Sequence, residues 1–90
     1  MPGEMKENGS PPAAGPPMAL ALASIGQEVQ FVGARGGRHL QHRLAEMGLT
    51  PGARFRILAR GSPGPFIILL KDTRLMLGHG MVLRVQVRPT

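Results

Sequence analysis

The chain has 90 residues, no cysteine and a formal net charge of +6. A chain of this length supports one modest core and no second domain, and without thiols it has neither a disulfide framework nor a cysteine-ligated zinc site. The longest apolar runs, MALALA from Met18 and PFIILL from Pro65, fall far short of the roughly 20 residues a membrane helix requires, so the chain is read as soluble.

Residues 1–17, MPGEMKENGSPPAAGPP, are rich in proline and glycine and have no apolar period. Such a stretch cannot bury enough surface to offset the entropy of ordering, and a disordered tail is expected there, with one domain over residues 18–90. A signal peptide is not expected, because Glu7 follows Lys6, prolines interrupt the stretch and MALALA is short for a secretory core. The tail holds Glu4, Glu7 and Lys6, a net −1, which leaves +7 on the remainder. A basic excess of that size suits an acidic protein surface, nucleic acid or anionic lipid as partner.

From Gln27 to Ala34 the sequence QEVQFVGA alternates, with Val29 and Phe31 on one face and Glu28 and Gln30 on the other, which predicts a strand. After a turn at Arg35, GRHLQHRLAEMG places Leu40, Leu44 and Met47 at i, i+4 and i+7, the stripe of an amphipathic helix. Gly48 suits the left-handed residue that ends such a helix, with Leu49 folding back toward Leu44 in a Schellman motif. Thr50, Pro51, Gly52 and Ala53 then read as a type II turn, proline setting φ at its second position and glycine supplying positive φ at its third.

The next segment, ARFRILAR, alternates Phe55, Ile57 and Ala59 inward with Arg54, Arg56 and Arg60 outward, which also puts Leu58 outward among the arginines. GSPGP separates it from the apolar run FIILL, giving a hairpin, and KDT leads on to RLML. GHG is expected to form a tight turn, and VLRVQV to close the domain with Leu83, Val85 and Val87 inward and Arg84, Gln86 and Arg88 outward. About five short strands and one helix point to a small barrel or sandwich, and closure would protect the edges of so small a sheet.

From about Leu22 onward the chain resembles the ferrous iron transport protein A (FeoA) family. The resemblance rests on LASIGQEVQFV, on Gly37, Leu40, Arg43 and Leu44 followed by Gly48, Leu49, Pro51 and Gly52, on GPFIILL, and on LMLGHGMVLRVQV. The chain departs from the family where many members have an acidic residue at Gly64 and arginine at Gly78. The resemblance implies a mainly β fold, a small SH3-like β-barrel of about five strands with one short helical insertion. It further implies a cytoplasmic accessory of bacterial ferrous iron uptake, peripheral at the inner membrane through its partner, the permease that carries a GTP-binding domain. The alternative is a metal-responsive regulatory or nucleic-acid-binding SH3-like domain, since a similar module occurs in metal-dependent repressors.

Rival chemistries have weaker sequence support. A DNA-reading helix-turn-helix leads into a second helix, whereas this turn leads into proline and a strand. Single-strand binding uses aromatic platforms among basic residues, and the aromatics here, Phe31, Phe55 and Phe66, suit the core better. His39 and His42 at i, i+3, with Glu46 beyond, have a spacing that brings ligands together on a helix, but two imidazoles and one carboxylate fall short of a closed four-ligand shell. Glu28, Glu46 and Asp72 show no pairing for acid–base work, and the glycines of GARGGR lack the order of a phosphate loop. The sequence therefore calls for no catalytic residue, cofactor or resident metal. Candidate partner-binding residues are Leu40, Arg43 and Met47 on the helix and Arg54, Arg56, Leu58 and Arg60 on the strand; Arg84 and Arg88 extend the basic stripe.

Overall fold

The computed structural model describes residues 16–61 and 63–90, and among these the chain forms six strands. These are β1 (Met18–Ala19), β2 (Glu28–Ala34), β3 (Arg54–Arg60), β4 (Phe66–Leu70), β5 (Thr73–Leu77) and β6 (Val85–Pro89). They form one antiparallel sheet in the order β1-β6-β2-β3-β4-β5. A 3-10 turn spans Leu20–Leu22, helix α1 Arg38–Glu46, and helix α2 His79–Arg84. The expected tail lies outside the described residues except for Pro16 and Pro17, and Ser62 of the first hairpin connection is also outside them.

The inward sets of β2 to β6 make most of the core: Val29 and Phe31, Phe55 and Ile57, Phe66, Ile68 and Leu70, Leu77, and Val85 and Val87. All three phenylalanines are buried, so none is free to stack on a base. Leu44 and Leu49 join this core, each contributing about 1.5–3 kcal/mol by burial. Leu40 and Met47 are half-buried and pack against it.

The stop of α1 has the expected geometry. Gly48 sits at φ +95°, its N–H donates to the Ala45 carbonyl at 2.9 Å, and the Leu49 N–H donates to the Leu44 carbonyl at 2.8 Å. These two bonds satisfy carbonyls that a helix end leaves orphaned and fold Leu49 into the core. The turn follows as read: the Ala53 N–H donates to the Thr50 carbonyl at 2.9 Å, and Gly52 has φ +94°.

Four features differ from the sequence reading. Strand β1, too short to show a period, adds a sixth strand through Met18 opposite Val87 and Ala19 opposite Gln86. The GHG segment is not a tight turn: Gly78 caps α2, and Leu83 and Arg84 belong to this helix instead of the last strand. The helix wins because it buries Val82 while α2 lies against the 3-10 turn and β1, tertiary packing overriding strand propensity. Leu83, expected inward, is consequently 54% exposed.

The fourth difference is a bulge in β3. Ile57 lies opposite Ile68 and Ala59 opposite Ile67, so the pairing slips by one at Leu58. Two residues there oppose one on the partner strand, which inverts the facing of everything beyond. Ala59 leaves the core for a half-buried position, and Arg60 comes to lie opposite buried Phe66.

Candidate partner-binding surface

The expected stripe of Arg54, Arg56 and Arg60 is split by that bulge. Arg54 and Arg56 remain exposed on the outer face of β3, flanking buried Phe55. Arg56 lies opposite both Glu28 and Leu69, and its Nη1 donates to the Gly26 carbonyl at 2.7 Å. Arg60 instead turns to the inner side at the end of the strand. Its guanidinium lies over the Phe66 ring and its Nη2 donates to the Ala21 carbonyl at 2.9 Å, tying β3 to the 3-10 turn. Arg84 lies on α2 and leaves the strand face, whereas Arg88 lies opposite Gln30 and Gln30 opposite Arg54, so Arg88 shares the outer face with Arg54. Leu58, the bulged residue, is half-buried.

On α1, Arg43 is exposed in the last turn, where a cation complements the helix dipole. Leu40 and Met47 are committed largely to packing, which leaves only part of each side chain for a partner. His39, His42 and Glu46 are exposed on the same helix. Among the described residues, no group of three or more histidine, aspartate or glutamate side chains gathers as a metal-holding set.

Two clefts escaped the sequence reading. One, of about 360 Å³, runs between α1 and β2 and is lined by Phe31, Val32, Ala34, Gln41, Ala45, Leu49 and Pro51 among others, with no titratable side chain of the described residues in its wall. The other, of about 290 Å³, lies beside Arg60 and Phe66, with Ala21, Pro63, His79 and Val82 completing most of its lining. It holds two basic groups and no carboxylate among the described residues. Neither cleft pairs a nucleophile with a base, or two carboxylates, as acid–base or covalent catalysis requires. Both depend on pairings between distant segments, which local periodicity does not encode.

Six antiparallel strands with a helix inserted between β2 and β3 define a small SH3-like β-barrel domain, an open one among the described residues, because β1 and β5 end the sheet without the expected closure against each other. Residues 18–89 match the FeoA domain model, and the chain belongs to the FeoA family. It is 31% identical over 68 residues to a Methanocaldococcus jannaschii protein named "Putative Fe(2+) transport protein A", an alignment covering 76% of this chain and 82% of the relative. The crystal structure of an iron uptake regulatory protein (FeoA) superposes with a TM-score of 0.76 at 34% identity, covering 82% of this chain and 99% of the other. A manganese-dependent transcriptional repressor shares the fold with a TM-score of 0.76 at 18% identity, over 89% of this chain and 44% of the repressor.

Proposed function

We propose that the protein is a small, non-enzymatic accessory of ferrous iron uptake that works in the cytoplasm and docks on the cytosolic GTP-binding part of the membrane ferrous iron permease. The observation that carries this reading is the continuous family match over residues 18–89, joined by 34% identity to a FeoA structure matched over 99% of its length. Its charge of +6 suits an acidic protein surface. The clefts offer no catalytic pairing among the described residues, in keeping with a binding role. Docking candidates are Arg54, Arg56 and the partly exposed Leu58 on β3, with Arg43 and the outer parts of Leu40 and Met47 on α1. Arg60 serves the fold first.

Affinity capture with the tagged full chain from solubilised membranes tests the reading, with recovery of the permease as the expected outcome. A metal-responsive regulatory or nucleic-acid-binding role is the second reading and draws on the fold shared with the repressor. A tight, salt-dependent shift of duplex DNA, without capture of the permease, would favour it.

A further inference from the structure

Strand β5 ends the sheet. It pairs with β4 from Phe66 opposite Leu77 to Leu70 opposite Thr73 and, among the described residues, with no strand on its other side. An antiparallel ladder uses the backbone groups of alternate residues on each side, so one set of β5 amides and carbonyls faces outward along a five-residue edge. The opposite edge of the sheet is only the two-residue β1.

The side chains beside this free edge are ordered by register. Met76 lies opposite Ile67 and Ile67 opposite Ala59, while Arg74 lies opposite Leu69 and Leu69 opposite Arg56. Opposed residues share a face, and these six are on the outer one. Met76 is 64% exposed, Arg74 and Arg56 are exposed, and the other three are half-buried. The outer face thus carries an apolar row that ends on Met76 next to a row in which two guanidinium groups bracket a leucine.

Charge selects the occupant. Lys71 and Arg74 stand on β5 and its turn, with Asp72 as the acid among them, in a chain of net charge +6. Cations on an edge oppose pairing with a second copy of the same strand and favour an acidic one. We propose that the β5 edge receives an extended acidic segment of the protein partner as an added strand, with an acidic side chain against Arg74 and an apolar one against Met76. Main-chain bonds along the edge supply affinity and the alternate side chains supply specificity, while Arg56, two strands away, adds to the attracting field. This deepens the docking reading above and rests on it.

The test uses the full 15N-labelled chain and, first, a synthetic peptide of alternating glutamate and valine. The largest amide shifts and slowed solvent exchange are expected within residues 73–77. The Arg74→Glu, Met76→Ser double variant should lose the response and Arg74→Lys should keep it. No response, or one confined to α1, overturns the proposal. The purified GTP-binding domain of the permease is the second probe, and the double variant should bind it at least about tenfold more weakly than the unaltered chain. Equal binding overturns the edge proposal and leaves the docking reading intact. Failure of the domain to bind either chain, with the peptide response intact, overturns the docking reading alone. A dimer that dissociates on introducing the double substitution assigns the edge to a second copy and also overturns the proposal.

Discussion

The guanidinium carbon of Arg60 lies 5.3 Å from the centroid of the Phe66 ring, with Nη2 of the same side chain donating to the Ala21 carbonyl. One side chain thus covers the face of a core aromatic and holds the segment that leads out of β1. An exposed cation–π contact contributes about 0.5–1 kcal/mol, and a hydrogen bond about 1 kcal/mol net.

Arg60→Ala is therefore expected to destabilise the protein by about 1–2 kcal/mol. Arg60→Lys should recover only part of this, because an ammonium lacks the planar fork that stacks and donates at once. Thermal unfolding followed by circular dichroism measures both. A midpoint unchanged by Arg60→Ala would make the arginine a merely solvated surface group.

Gly48 is constrained twice. Its φ of +95° is costly for any residue with a Cβ, and a Cβ placed there would stand 3.0 Å from Cδ2 of Leu70. Gly48→Val is expected to cost about 1–3 kcal/mol, read as a lower denaturation midpoint in urea. Pro51→Ala, which leaves Gly52 to form the turn, should cost less than about 1 kcal/mol. The reverse order would move the decisive constraint from the helix stop to the turn.

The exposed His39 and His42 on α1 are expected to bind ferrous iron weakly if at all, since two imidazoles and one carboxylate leave a site open. Anaerobic isothermal titration of the full chain should show no stoichiometric sub-micromolar binding. Strong binding that disappears in the His39→Ala, His42→Ala double variant would make α1 a metal site.

The parts of the fold legible in the sequence are those written in local chemistry. Leu40, Leu44 and Met47 announce α1 by spacing, and Gly48, Pro51 and Gly52 specify its stop and turn because few other residues reach those backbone angles. The bulge at Leu58 left no such mark. ARFRILAR alternates well enough to read as regular, and the slip arises only in pairing with β4. The facing of Arg60 therefore departs from the alternation, and one of the three arginines expected on the outer face of β3 leaves it. The α2 segment carries the strand-former Val82 next to the valines of β6 and becomes helical through packing on the 3-10 turn. The free edge of β5 was invisible for a related reason, because a strand's place in the sheet depends on the whole topology.

Helix α1 and the sheet make different predictions as docking elements. Arg43→Ala removes a cation from the last helical turn and should cost about 0.3–1 kcal/mol of stability while weakening partner binding less than the strand variant does. The Arg54→Glu, Arg56→Glu variant should slow association at low salt, because rim charges act mainly on encounter. Stopped-flow or surface-based kinetics separate the two. Loss of binding on Arg43→Ala alone, with the strand variant binding normally, would transfer the docking role to the helix.

The proposed docking of this FeoA-family chain on the cytosolic GTP-binding part of the ferrous iron permease is a binding equilibrium between two proteins. Calorimetric titration of the purified full chain with that purified domain at two salt concentrations tests it most directly. Saturable one-to-one binding that weakens as salt rises is the predicted result. No binding at either salt concentration, with both proteins folded, would contradict it.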